Sequence, residues 1–219
     1  MKKNKKFVLI SDFDGTISKV DFFMYVVNNL LKPSDLRPWQ DFLDKKITHI
    51  DALIGIFGNI KTSRSYFDKF ILDLPLEEAF IETVGFCKSN DIDIYILSAG
   101  ADYYIKLILQ NLNIENDVKL ITNKSYFIEN DGLIVIRPDQ NDPYYSYEYG
   151  VDKVAVVEEL KLKYDYCVFA GDGHFDFPSA RLSDTIFARK KLLKLCLQHN
   201  IDCIELINYK QILDHLKDL

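Results

Sequence analysis

Phe7-Val8-Leu9-Ile10-Ser11-Asp12-Phe13-Asp14-Gly15-Thr16 is the stretch from which the rest of the chain is read: an unbroken apolar run that ends in two carboxylates and a glycine. Continuous rather than alternating apolar character predicts a strand buried on both faces, the environment of a central strand in a parallel sheet. In extended chain, residues two apart point the same way, so Asp12 and Asp14 would share a side. Gly15 offers a backbone geometry closed to other residues, which permits a sharp turn and a close approach by a ligand. Taken alone, the run is explained equally well by a strand end followed by a helix cap.

Two further runs have the same form: Ile92–Leu97 stops at Ser98, and Cys167–Ala170 stops just before Asp172. Helical spacing follows each of them. Tyr104, Leu107, Ile108 and Leu112 recur at helical intervals after the second run, and Asp176 to Leu182 leads from the third into another strand, Thr185–Ala188. Alternating strands and helices predict an α/β fold with a doubly wound parallel sheet, Rossmann-like in its core. In such sheets ligands bind beyond the carboxyl ends of the strands, so Asp12, Ser98 and Asp172 are expected to converge there.

The chain between the first two runs has no clear strand but several helical patterns. Phe22, Phe23, Val26, Val27, Leu30 and Leu31 form one broad apolar face, Pro33 and Pro38 interrupt the chain, and helices are expected over Trp39–Leu43, Thr48–Phe57 and Ser65–Leu72. The expected organisation is therefore a core of residues 1–18 and 80–219 with a small helical domain inserted at 19–79. Tyr126–Ile128 and Leu133–Ile136 read as a hairpin, and Arg137 to Tyr149, rich in Pro, Asn and Tyr, reads as a loop whose tyrosines line a pocket or an oligomer contact.

A net charge of -6 over 219 residues opposes partnership with nucleic acid or an anionic membrane, both of which require a surplus of Lys and Arg. The start, Met1 to Lys6, is basic, but the apolar run after it is far too short for a signal peptide or a membrane span. Cys87, Cys167, Cys196 and Cys203 include no closely spaced pair and read as reduced thiols, three of them in apolar runs. A cytoplasmic protein of ordinary globular composition is expected.

Gly171-Asp172-Gly173-His174-Phe175-Asp176 adds two carboxylates at the end of a buried strand. Carboxylates and a backbone carbonyl suit a hard cation such as Mg²⁺, whereas the lone His174 lacks a ligand partner at usable spacing and reads as a surface or capping residue. Taken in order, Asp12–Thr16, Ser98 in Ile96-Leu97-Ser98-Ala99-Gly100, Lys153 after Gly150, and Gly171–Asp176 resemble the motifs of the haloacid dehalogenase superfamily of phosphatases across essentially the whole chain. Singly, Ser98 reads as a helix cap and Lys153 as a solvated charge.

The resemblance implies an aspartyl-phosphate phosphatase acting on a small phosphorylated metabolite. Asp12 would be its nucleophile and Asp14 its general acid and base. Asp12, the backbone carbonyl of Asp14 and Asp172 would hold Mg²⁺, with Asp176 orienting the metal loop from outside. Ser98, Ala99 and Lys153 would bind the phosphoryl oxygens. The helical insert would be a cap that chooses the substrate. Leu97–Tyr103 and Gly171–Arg181 are most similar to the phosphoserine phosphatase-like branch, which includes phosphocholine phosphatases and the methylthiopentenyl phosphate phosphatases of methionine salvage. Phosphoserine phosphatases carry Asn where this chain has Phe175 and an early Glu where it has Asp21.

Asp21 is thus a candidate substrate selector, with helix capping as the competing role. Arg37 and Arg64 are candidates for a substrate carboxylate, with surface roles competing. A phosphotransferase or mutase would use the same aspartyl-phosphate. A catalytically silent metal- or phosphate-binding protein is disfavoured by the intact set Asp12, Asp14, Ser98, Lys153 and Asp172.

Overall fold

The computed structural model describes residues 5–219, so most of the basic start lies outside the described residues. Six parallel strands form the central sheet: β1 (Phe7–Ser11), β2 (Asp93–Ala101), β3 (Lys119–Asn123), β8 (Tyr166–Gly171), β9 (Thr185–Ala188) and β10 (Ile204–Glu205), in the spatial order β10-β9-β8-β1-β2-β3. Two short antiparallel pairs lie outside it: β4 (Ser125–Ile128) with β5 (Gly132–Val135), and β6 (Tyr145–Ser146) with β7 (Gly150–Val151). The hairpin is the predicted one, and the tyrosine-rich loop gains only the two-residue pair.

Alternate residues of the central strands feed two cores. Leu9, Ile94, Ile96, Val168 and Ala170 enter one, packed under α5 (Ala79–Ser89), α6 (Asp102–Asn111) and α10 (Lys210–Lys217); Val8, Ile10, Cys167 and Phe169 enter the other, under α7 (Lys153–Lys163), α8 (Phe177–Ala180) and α9 (Lys190–Gln198). This double covering is the physical reason the strands read as unbroken apolar runs. Cys87, Cys167 and Cys196 are free and buried within it, and burial pushes the thiols of Cys87 and Cys167 up to about 12 and about 11.

Register places the strand ends together. Ser11 pairs with Ala170 on one side and Ile96 on the other, so Asp12, Gly171 and Leu97 emerge level with one another. Ser98 is not the end of its strand: β2 continues to Ala101, but its pairing with β3 shifts between Leu97 and Ala101, and that irregularity carries Ser98 out of the regular ladder.

Between β1 and β2 stand α1 (Phe22–Leu30), a 3-10 turn at Pro33–Leu36, α2 (Arg37–Leu43), α3 (His49–Phe57) and α4 (Arg64–Leu72). Thr48 and Ser63 cap α3 and α4 by accepting from Asp51 N and Tyr66 N. Pro38 does not interrupt the chain as expected. It occupies the first turn of α2, where a helix has no use for the missing amide. The helical segment leaves and returns side by side, with Lys19 N donating to Pro75 O and Glu77 N to Ile17 O. Its apolar residues Phe22, Val26, Leu53, Phe57 and Phe67 are continuous with the core that contains Phe13 and Tyr104. The hairpin is fastened to the same helices, Asn130 N donating to Thr62 O and Arg64 Nη2 to Phe127 O.

Candidate active site

A cavity of about 340 Å³ opens over the carboxyl ends of β1, β2 and β8, facing α1, α2 and α3. Its floor brings together Asp12, Asp14, Ser98, Ala99, Lys153, Asp172 and Asp176, which the sequence had placed in four separate motifs.

Lys153 is the buried centre of the floor. At the first position of α7, with Asp152 capping the helix through Val154 N and Ala155 N, its ammonium lies 2.7 Å from Asp12 Oδ1 and 2.7 Å from Asp176 Oδ1. A Lys this far from water needs such partners. Burial works against its charge, but the two carboxylates override that and raise its pKa. Asp176 is fully committed, because its other oxygen accepts from Asp172 N at 3.2 Å and Gly173 N at 2.9 Å. Asp12 feels burial first, which pushes its carboxyl well above the usual range, while the Lys153 ammonium pulls it down and Asp176 and Asp172 add to the rise.

Asp14 belongs to a different surrounding. Its Oδ1 accepts from Phe22 N at 3.2 Å and its Oδ2 from the Tyr104 hydroxyl, so its carboxyl is turned toward α1 and α6. Burial and then the charge of Asp21 push it up to about 7, with the Tyr104 and Phe22 hydrogen bonds opposing. Tyr104 reads in sequence only as an apolar helix position. In the fold its ring stacks on Phe22 at 3.9 Å and meets Phe13 edge-on at 5.8 Å, and these contacts aim the hydroxyl.

Two glycines make this closeness possible. Gly15 has φ +73°, and a Cβ there would lie 2.2 Å from Asp172 Oδ2. At Gly100 a Cβ would lie 2.2 Å from the Tyr104 hydroxyl and 3.0 Å from Asp14 Oδ2. Ser98, 1% exposed, accepts from Gly100 N at 3.0 Å, which folds the 98–100 turn around its hydroxyl. Asn123 steadies the turn by donating to Ala99 O at 2.8 Å and Tyr149 O at 3.0 Å.

Carboxylate oxygens of Asp12, Asp172 and Asp176 lie within 4.8 Å of one another. Asp12 and Asp172 are hard oxygen donors that fit a metal ion, whereas Asp176 has both oxygens taken by Lys153 and the two amides, and Asp14 contributes no carboxylate oxygen to the cluster. Asp172 is paired with Lys190 Nζ at 2.9 Å; burial pushes its carboxyl up and Lys190 opposes. His174, exposed at the rim, is outside the cluster. Asp21 caps α1 by accepting from Met24 N at 2.9 Å while also lining the cavity, so the two expected roles share one residue. Arg37 pairs with Asp41, and Arg64 donates to Tyr103 and Phe127; neither lines the cavity.

The wall facing the floor was not legible in the motifs. Phe23, Trp39, Leu53 and Phe57 come from the helical segment, and Phe175 comes from the Gly171–Asp176 motif itself. His49 lies among them, its ring 5.0 Å from Phe175, 5.4 Å from Phe42, 5.6 Å from Tyr149 and 6.1 Å from Trp39. The one available signal was His49 at the start of an apolar helix.

Residues 7–204 match the sequence model of the family described as Putative Phosphatase. A protein of Exiguobacterium sibiricum named 2-hydroxy-3-keto-5-methylthiopentenyl-1-phosphate phosphatase is 28% identical over 212 residues, 95% of each chain. Its namesake in Bacillus velezensis is 28% identical over 191 residues, 86% of this chain and 80% of that one. Among solved structures, a substrate-bound phosphoserine phosphatase complex superposes with a TM-score of 0.67 at 18% identity, covering 97% of this chain and 99% of the other. A phospho-aspartyl intermediate analogue of phosphoserine phosphatase superposes with a TM-score of 0.64, also at 18% identity, over 97% and 99% of the two chains.

Proposed function

The chain belongs to the putative phosphatase family and is a haloacid dehalogenase-like phosphatase, and from that premise we propose that it hydrolyses a small phosphomonoester through an aspartyl-phosphate on Asp12. The observation that carries the reading is the unequal treatment of the two motif carboxylates. Asp12 is paired with a buried ammonium at 2.7 Å, whereas Asp14 sits apart from the Asp12–Asp172–Asp176 cluster with its carboxyl near 7. A nucleophile must be ionised and a general acid protonated: the Lys153 ammonium favours the ionised form of Asp12 against the burial that opposes it, and Asp14, pushed up to about 7, can hold a proton at neutral pH.

In the proposed reaction Asp12 attacks phosphorus, and Asp14 donates its proton to the departing oxygen. Asp14 then takes a proton from the water that opens the acyl phosphate and returns free Asp12 and inorganic phosphate. Ser98, the Ala99 turn and Lys153 hold the phosphoryl oxygens, while Tyr104 and the Phe22 amide keep Asp14 aimed. Mg²⁺, held by Asp12, Asp172 and the Asp14 carbonyl, would supply positive charge against the build-up of anions on the floor. Asp176, occupied by Lys153 and two amides, orients rather than coordinates.

Residues 19–79 act as the cap, together with the hairpin fastened to them. The cavity wall contributed by α1, α2 and α3 contains no Lys or Arg, and Arg37 and Arg64 are engaged elsewhere. A leaving group bearing a carboxylate, as in phosphoserine, would find no cation on that wall; the cavity's other lysines outside the floor, Lys190 and Lys191, lie at the start of α9, and Lys190 is paired with Asp172. An uncharged, partly apolar leaving group suits it, and the substrate in the names of the Exiguobacterium and Bacillus relatives is of that kind. The soluble pool of phosphorylated metabolites in the cytoplasm is the proposed source; no described helix is long and apolar enough to cross a membrane.

The test is phosphate release from p-nitrophenyl phosphate and from a panel that includes phosphoserine, phosphocholine and the methylthiopentenyl phosphate, with Mg²⁺ and with excess chelator. Chelator-sensitive release, strongest for the uncharged leaving group, is expected. Release that survives chelation ends the metal assignment, preference for phosphoserine ends the substrate assignment, and transfer to added alcohols in place of water would make the protein a phosphotransferase.

A further inference from the structure

Among the described residues that α1, α2 and α3 place on the cavity, His49 is the one ionisable side chain. It is 8% exposed, its Nδ1 is buried without a hydrogen-bond partner, and its ring makes no hydrogen bond to any described residue. Buried polar atoms in folded proteins are overwhelmingly paired, because an unpaired one loses its hydration for nothing. The position is nonetheless rigid. Thr48 caps the helix, His49 N donates to Glu148 Oε1 at 3.1 Å, and Ile50 N donates to Glu148 O at 3.0 Å. The ring is gripped by Trp39, Phe42, Tyr149 and Phe175.

We infer that His49 is the specificity-determining residue of the proposed reaction, its imidazole pairing with a hydroxyl or carbonyl oxygen of an uncharged leaving group whose carbon skeleton lies against Trp39, Leu53 and Phe57. Burial, with His174 and Lys153 nearby, lowers its pKa to about 4, so the ring is neutral and offers one donor and one acceptor. A neutral imidazole can thus serve either oxygen, and an apolar surround makes the pairing selective. A site built to hydrogen-bond a substrate oxygen discriminates strongly against an analogue that lacks it. The simpler alternative is that His49 only fills an aromatic cluster, in which case it affects stability and not the choice of substrate.

This inference rests on the phosphomonoesterase reading above, and its test separates the two. Initial rates of phosphate release in Mg²⁺ are measured for pentyl phosphate and 2-oxopentyl phosphate with the wild type, His49→Phe and His49→Asn. The wild type is expected to favour the oxo ester about tenfold in kcat/KM, the worth of one hydrogen bond. In His49→Phe the ratio falls to near one, mainly through a higher KM for the oxo ester, and His49→Asn restores part of it. A wild-type ratio near one, or a ratio unchanged in His49→Phe, overturns the assignment while leaving the phosphatase intact. If His49→Phe fails to fold, the His49→Asn ratio decides: preference lost below wild type but above one supports the assignment, and no change overturns it. No release by the wild type from either ester or from p-nitrophenyl phosphate would defeat the phosphomonoesterase reading and this inference with it.

Discussion

At the floor of the cavity every carboxylate has a partner, while on the wall opposite the buried imidazole has none. Asp176 satisfies Lys153 and two amides, Asp12 satisfies Lys153, and Asp14 is held by Tyr104 and Phe22, so the floor is a closed network before any substrate arrives. On the wall, apolar rings surround a histidine whose Nδ1 is unpaired. The difference teaches how the labour is divided: the floor is preorganised for a group every substrate shares, and the wall keeps open the hydrogen bond that tells one substrate from another.

The strongest break of this comparison is at the floor. Asp12→Asn removes the nucleophile and should lower phosphate release by about 10⁴-fold or more, with the far-ultraviolet circular dichroism of the wild type retained. A variant within tenfold of wild type would remove Asp12 from that role. Lys153→Met tests closure directly. It leaves Asp12 and Asp176 buried without their cation, and should cost about 3–5 kcal/mol in urea unfolding as well as activity. A stability loss below about 1 kcal/mol would mean that the floor is not closed by Lys153.

The wall is sharpened by pH. His49 has a folded pKa of about 4 against an ordinary 6.5, so the neutral ring contributes stability that is complete above pH 6.5 and is lost as pH falls through 4. Lys153 and His174 are the charged or titratable neighbours that act on it, and Glu148 holds its backbone amide. The loss amounts to about 3 kcal/mol at most, and His49→Phe should remove that part of the slope of unfolding free energy against pH. Equal slopes in wild type and variant would show that the ring is not held neutral. The smallest effect is expected where the floor meets Tyr104 of α6. In Gly100→Ala the new methyl meets the Tyr104 hydroxyl and crowds Asp14 and Ser98, lowering kcat for p-nitrophenyl phosphate about tenfold or somewhat more. An unchanged kcat would show that Tyr104 can yield without cost to Asp14.

Much of the floor was legible in advance because its carboxylates stand in short contiguous signatures at the ends of buried strands, whereas Lys153 opens a helix and gained its reading only from motif order. Asp12, Asp14, Asp172 and Asp176 announce themselves by spacing, and the strands β1, β8 and β9 by unbroken apolar runs. β3 and β10 escaped notice: Lys119–Asn123 mixes polar and apolar residues, and Ile204–Glu205 is only two residues long, as befits strands at or near the sheet edges. Tyr104 was hidden because an aromatic at helical spacing reads as core, which its ring is; only its hydroxyl is part of the site. Phe175 was visible as a departure from the motif, but not as a wall.

The sequence by itself determined four of the six sheet strands, the expectation that their ends converge and, through motif order and family resemblance, the candidate floor residues, because backbone periodicity and short motifs are local properties. Tertiary structure alone decided that Asp14 turns from the carboxylate cluster to Tyr104, that Asp176 is consumed by Lys153, and that His49 packs against Tyr149 and Phe175. Each of these depends on contacts between residues tens of positions apart or more, whose distances and orientations are set by packing and have no counterpart in the order of residues along the chain.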